Sequence, residues 1–276
     1  MSQPGAADIL VAARGALLDA VDALADHRPA LVLVGAQAIY LHTGDAPIAL
    51  AESTKDSDFA INPGALPDDP LLEEAMRRAG FTQNAVHPQP GSWLSPSGVP
   101  VDLMVPERMA GEGSRRSGRI APHDDRATRR AAGLEAAIID QAPMTITALD
   151  PNDARSIKIN VAGPAALLVA KLHKLGERQT IPLRLLDKDA HDVYRLLVAT
   201  ESAQMAATLG RLREHELCER ITKDALVYLE QLFAVGPRAL GATMAGRAEE
   251  LIGDPATVSA AASALAGDLL ALLPRK

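Results

Sequence analysis

The sequence predicts an α/β (α+β) protein over residues 1–162, followed by a C-terminal helical bundle over residues 163–276. Three observations predict this. Short apolar runs of strand length, Leu31–Val34, Phe59–Ile61 and Val99–Val105, alternate with stretches of helical periodicity. Beyond Gly163 and Pro164 no strand pattern recurs, and each segment reads as helix. Hydrophobic residues make up 47% of the 276 positions, enough for a sizeable core; aromatics are only 3%, so Leu, Val, Ile and Ala must fill it.

Taken in order, residues 6–25 carry Ile9, Leu10, Leu17, Leu18, Val21 and Leu24 on one helical face, and Pro29 ends the segment. Leu31-Val-Leu-Val34 is continuously apolar, the pattern of a strand buried on both faces. Gly35 follows, and residues 36–42 read as a helix that starts directly from the strand end. Phe59–Ile61 is a second strand, closed by Asn62-Pro-Gly64. Residues 71–79 are helical up to Gly80, and residues 99–105 form a third strand, in which Pro100 marks an edge or a strand start. Residues 107–133, rich in Gly, Ser and Arg, read as a long loop or lid. Residues 136–139, 144–148 and 157–161 read as β-like runs. Pro164 then occupies the first position of a helix, where its missing N–H costs nothing.

Composition excludes several classes of function. A net charge of −7 excludes a globally basic nucleic-acid binder, and the shortage of aromatics argues against a base-stacking platform. Cys218 is the single cysteine, so neither an internal disulfide nor a cysteine zinc cage can form. The N-terminus M-S-Q-P-G-A-A-D has no basic n-region, and the apolar stretch 258–273 is interrupted by Asp268. The expectation is a cytoplasmic protein without a membrane partner.

The chemistry centres on Thr54-Lys-Asp-Ser-Asp-Phe-Ala-Ile61. On a strand, residues i and i+2 share a face, so Asp56 and Asp58 project together if the strand begins at Asp56. Two ionised carboxylates that close repel, and a divalent cation removes the penalty. Asp102, inside the apolar run Val-Pro-Val-Asp-Leu-Met-Val, is a third carboxylate that calls for an explanation. The plain alternative makes Asp56 and Asp58 turn or cap residues and puts Asp102 on a solvated edge, since a bare D-x-D is common. The order strand, Gly, helix, D-x-D, strand, Asp is more informative. It sets a helix N-terminus and carboxylates at one end of a sheet, the two things a nucleoside triphosphate needs. Neither G-x-x-x-x-G-K-[ST] nor G-x-G-x-x-G occurs.

Leu33-Val-Gly-Ala-Gln-Ala-Ile-Tyr-Leu-His42 followed by Ser53-Thr-Lys-Asp-Ser-Asp58 resembles the first motif of the polymerase-β-type nucleotidyltransferase superfamily. Gly35, Asp56, Asp58 and Asp102 fall at that pattern's places. Ala170-Lys-Leu-His-Lys-Leu-Gly-Glu-Arg178 and Asp187-Lys-Asp-Ala-His-Asp-Val-Tyr-Arg-Leu-Leu197 are similar to the later motif of the AbiEii-type (MenT-like) nucleotidyltransferase toxins. The resemblance covers roughly residues 30–200. It implies a mixed sheet with flanking helices, an Mg²⁺ (or Mn²⁺) ion held by Asp56, Asp58 and Asp102, and a nucleoside triphosphate as substrate. It also implies an RNA acceptor, a tRNA end for the toxin branch, and control by a cognate antitoxin protein. Ala36 departs from the frequent Ser, and the connection from Gly35 to Asp56 is long. Ser53, Thr54 or Lys55 is left to supply the phosphate contact that Ala36 lacks.

Without the resemblance, Lys171, Lys174 and Arg178 still share one helical face by their spacing. Lys171 sits between Leu167 and Leu175 at the margin of the apolar stripe, where charge is excluded unless paired or functional. Asp189 shares a face with Val193 and Leu196, so Lys171 and Asp189 are expected to face each other or both to face the cleft. Lys171 would then bind triphosphate as a point charge, and Asp189 would orient it or accept a proton. The helical half, residues 163–276, would complete the active-site cleft. In the plain alternative Asp187 and Asp189 serve the helix dipole and Lys171 snorkels; Asp192 is balanced between the two. The arginines of residues 107–133 are read as a solvated loop ahead of an RNA surface, Trp93 as a packing or loop-anchor residue, and the seven histidines show no close metal spacing. Two other functions stay open. One is transfer to a small aminoglycoside-like alcohol; the other is a catalytically silent nucleotidyltransferase-like binding module.

Overall fold

The computed structural model describes residues 6–44, 56–85, 88–112 and 116–274. It is a mixed α/β protein that divides into two compact units, Met1–Ala38 with Ser53–Ala162, and Ile39–Glu52 with Gly163–Lys276.

The first unit is built on one mixed sheet. Helix α1 (Ala6–Ala23) precedes β1 (Leu31–Val34), which is buried throughout. Helix α2 (Gly35–Thr43) starts on the next residue. Strand β2 (Ser57–Ile61), helix α3 (Leu72–Arg78), the short β3 (Thr82–Gln83) and β4 (Ser92–Leu94), and β5 (Pro100–Pro106) follow. Then come β6 (Arg129–Ala131), α4 (Glu135–Ile139), β7 (Gln141–Thr147) and β8 (Ser156–Ala162). The strand order is β3-β4-β5-β2-β1-β8-β7. Strand β4 pairs with the first half of β5, and β6 with its last residues. Pairing is parallel for β2 with β5, β5 with β6 and β1 with β8, and antiparallel elsewhere. Helix α1 packs on β2 and β5, with Leu17, Leu18, Val21, Phe59, Ile61, Leu103 and Val105 fully buried.

Two expectations need correction. Residues 136–139 are helical, within α4, rather than β-like. Four apolar residues cannot distinguish the two periods, and Gly133 at φ +80 turns the chain so that Glu135, Ala136 and Ala137 bury against the unit. Residues 107–133 are not simply a loop. Ala110, His123, Ala127 and Thr128 are buried, and β6 joins the sheet. Trp93, wholly buried, donates its Nε1–H to Ala127 O at 3.0 Å and so anchors this segment.

In the second unit α5 (Pro164–Arg178) has Pro164 in its first turn. Helices α6 (Asp187–Ala199), α7 (Ser202–Glu214), α8 (Glu219–Leu229), α9 (Leu240–Arg247) and α10 (Pro255–Leu272) complete it. Helix α5 packs on α8 and α6, α6 on α9, and α10 on α9 and α7. Among the described residues α10 is the one helix long and apolar enough to cross a membrane; its Val258, Ala262, Ala266 and Leu269 are buried within the unit. The end of α2 from Ile39 onward belongs to this second unit, and Arg195 closes it. Its Nε and Nη2 donate to Thr43 Oγ1 at 3.2 and 3.0 Å, and the guanidinium stands 5.3 Å from the Tyr40 ring centroid.

Candidate active site

Alternation on β2 decides which carboxylate points where. Ser57 Oγ donates to Ala13 O of α1 at 3.1 Å, so Ser57, Phe59 and Ile61 face α1. Asp58 therefore leaves the opposite face. It lies in register with Val34, the last residue of β1, and with Asp102 on β5. Partners in a parallel pair point the same way, so Asp58 and Asp102 leave the sheet side by side from strands about 4.8 Å apart. Ser92 on β4 continues the same row. Asp56 lies just ahead of the strand, which begins at Ser57.

Gly35 is where this face meets α2. Its φ is +71, and a Cβ there would overlap Asp58 Oδ2, with Asp58 Cβ and Cγ both 2.9 Å away. The turn from β1 into α2 thus needs a glycine twice over: for its left-handed backbone and for the space the Asp58 carboxylate fills. Ala36, the next residue, offers no hydroxyl, so in the first turn of α2 it can meet an anion only through its backbone N–H. Thr54 and Lys55 lie outside the described residues.

A buried polar network underlies the turn. Gln37, 1% exposed, donates from Nε2 to Ser57 Oγ at 2.7 Å, to Ala13 O at 3.1 Å and to Asp56 O at 3.4 Å. Its Oε1 accepts from Arg14 Nε at 3.1 Å, and Arg14 Nη1 donates to Thr147 O at 3.0 Å. Burial pushes the Arg14 guanidinium below its ordinary value, and these two acceptors are its compensation. Gln37 therefore ties α1, the first turn of α2 and the approach to Asp58 together. Gln37→Ala is expected to lose about 1–3 kcal/mol in chemical denaturation, because Arg14 and Ser57 lose a buried partner together.

Asp102 is engaged by Arg129. Arg129 Nη2 donates to Asp102 Oδ2 at 2.5 Å, and the two side chains are 26% and 18% exposed. Arg129 is in register with Met104, two residues beyond Asp102 on the same face, so its side chain reaches back along β5. Gly91, at φ +72, lets the backbones of β5 and β6 come close here, since a Cβ there would collide with Leu103 O and Arg129 N. Among the described residues no three His, Cys, Asp or Glu side chains stand grouped as metal ligands. Asp58 and Asp102 are in register, while Asp56, Asp58 and Asp102 do not close into a three-ligand group. The donor chemistry nevertheless fits a hard divalent cation, with carboxylate oxygens from neighbouring strands on one face.

The second unit holds its own ionic cluster. Lys171 Nζ lies 2.9 Å from Asp189 Oδ1 and 2.7 Å from Asp192 Oδ2, with all three side chains less than a tenth exposed. Lys174 Nζ reaches Asp189 Oδ1 at 2.8 Å, and Arg178 Nη1 stands 3.5 Å from Asp189 Oδ2. Burial alone would push the Lys171 ammonium down, but Asp189 and Asp192 outweigh it and hold its pKa above the ordinary lysine value. Burial would likewise raise Asp189, yet Lys171 and Lys174 hold it well below the usual carboxylate range. Lys171 and Asp189 face one another; Lys174 and Arg178 present the partly exposed heads, at 37% and 32%.

Sequence reasoning passed over Gln37 and Arg14, and did not single out Arg129 among its neighbours. The signal for Gln37 was present: it is the one amide in Gly35-Ala-Gln-Ala-Ile-Tyr-Leu41. Arg129 carried no local signal, because its partner is 27 residues away.

A family model described as nucleotidyltransferase matches residues 12–211. No curated protein and no solved structure matches the chain.

Proposed function

The chain belongs to this nucleotidyltransferase family and is a transferase; from that premise we propose that it moves a nucleoside monophosphate from a triphosphate to a hydroxyl of RNA, with a tRNA end as acceptor, as the toxin of a toxin–antitoxin pair. The observation that carries the chemistry is the Asp58 carboxylate seated over Gly35, in register with Asp102, at the start of α2.

The acceptor oxygen bonds to the α-phosphorus, the bond from that phosphorus to the bridging oxygen breaks, and pyrophosphate leaves with the electron pair. The hydroxyl proton passes to a carboxylate oxygen of Asp102. The N-terminal amides of α2 face developing negative charge on the phosphates. Asp56 and Asp58, with Asp102, would hold an Mg²⁺ ion, which supplies Lewis-acid stabilisation when bound. Gln37 keeps Asp56 and Asp58 in place from beneath. In the second unit Lys174 and Arg178 are given the contact with anionic substrate, and Lys171 is given the placing of Asp189. The toxin role rests on the order of the motifs around Asp58 and around Lys171 and Asp189.

Incubation with Mg²⁺, each labelled nucleoside triphosphate and total RNA is expected to label tRNA, with transfer lost in Asp58→Asn. The net charge of −7 favours a cationic small acceptor over RNA, so aminoglycoside-like alcohols form a parallel arm. Label confined to that arm would overturn the RNA reading. Absence of transfer from every nucleotide would leave a silent binding module.

A further inference from the structure

We propose that Arg129 is a built-in counter-ion of the carboxylate face, occupying Asp102 in the metal-free protein and yielding it when a divalent cation binds. This rests on the divalent-cation reading of the same site and adds a residue and a competition to it.

Three observations carry it. The register sets Asp58 beside Asp102 on one face, where two ionised carboxylates would repel. Arg129 does not lie opposite Asp102; it starts beside Met104 and reaches back one two-residue repeat to put Nη2 on Asp102 Oδ2. A solvated surface arginine has no reason to hold that path, whereas a cation drawn to the Asp58–Asp102 pair does. Finally, the Arg129 and Asp102 side chains are 26% and 18% exposed, so their contact is partly withdrawn from solvent, where a charge pair is held more firmly than at the surface.

The pair is partly exposed, so it can open without unfolding the strand that carries it. An incoming divalent cation brings two charges to carboxylates that Arg129 serves with one. The cost of releasing Arg129 is charged against metal affinity, so the wild-type protein should bind the ion more weakly than its carboxylates alone would. Discrimination follows: a monovalent ion brings no more charge than Arg129 and gains little by displacing it.

The test is calorimetric titration of the intact protein with Mn²⁺ alone, without nucleotide. Arg129→Met keeps the apolar stem and removes the charge; it is expected to tighten Mn²⁺ binding about tenfold, the scale of one partly solvated charge pair. Arg129→Gln, which can still hydrogen-bond to Asp102, should do the same and stands in if the Met variant does not fold. In a double-mutant cycle, adding Asp102→Asn should erase the gain. Mn²⁺ should also raise the melting temperature of Arg129→Met more than that of the wild type, a response a packing role would not produce. Unchanged or weaker Mn²⁺ binding in both Arg129 variants, with clear binding by the wild type, overturns the counter-ion role alone. Lack of Mn²⁺ binding by every form, including the Arg129 variants, overturns it together with the divalent-cation reading.

Discussion

Gly35→Ala is expected to cut nucleotidyl transfer by about 100-fold or more while the protein stays folded, the cost typical of displacing a reacting group by an ångström. Two effects act together. Alanine at φ +71 costs about 1–2 kcal/mol of left-handed backbone strain. Its Cβ must also occupy the space of the Asp58 carboxylate, so Asp58 is driven from its place beside Asp102. The strain alone is too small to unfold a domain of ordinary stability. The displacement strikes the carboxylate to which the proposed chemistry is assigned. Circular dichroism and the melting curve should show a folded variant, and the transfer assay should show the loss. A folded Gly35→Ala protein with wild-type transfer would remove Asp58 from the catalytic position given to it here.

Lys171→Ala is expected to destabilise the protein by about 3–5 kcal/mol, the usual cost of breaking a buried ion pair by removing one partner. The size follows from what is left behind. Asp189 keeps Lys174 and Arg178, but Asp192 loses the ammonium 2.7 Å from it while remaining buried. The pH dependence has a definite sign. Asp189 has a lowered pKa in the folded protein, so its contribution is present above the ordinary carboxylate range and is lost as pH falls through and below it. Lys171 has a raised pKa, so its contribution is present below the ordinary lysine range and is lost only in strong alkali. The wild-type advantage over Lys171→Ala should therefore be largest near neutrality and should narrow on acidification, as the Asp189 contribution is lost. Denaturant melts of both proteins at neutral and acid pH measure this directly. An equal deficit at both would show that lost packing, not lost charge, destabilises the variant.

Much of the fold was legible because the governing contacts are local. Leu31–Val34 is all apolar, Gly35 interrupts it, and Pro164 opens a helix; each can be read within a few residues. Residues 136–139 were misread because a four-residue apolar run fits either period, and the turn at Gly133 decided in favour of helix. The Arg-rich segment is largely loop, as expected, but its packing was hidden for a different reason. Its charges suggested solvent, while its order comes from Trp93, Gly91 and the end of β5, none of which lies within the segment.

The site divides along the same line. By itself the sequence determined that Asp58 and Asp102 are carboxylates set into apolar strands, that a glycine separates β1 from α2, and that Lys171 sits at the margin of an apolar stripe. These are statements about alternation and helical spacing, periodicities that every short segment carries within itself. Only the tertiary structure decided that Asp58 lies beside Asp102, that its carboxylate fills the space above Gly35, that Gln37 braces the approach from below, and that Arg129 holds the third acid. Each of these depends on strand register or on a side chain reaching across elements. Register is set by how whole strands bury their faces against one another, so no local window of sequence contains it.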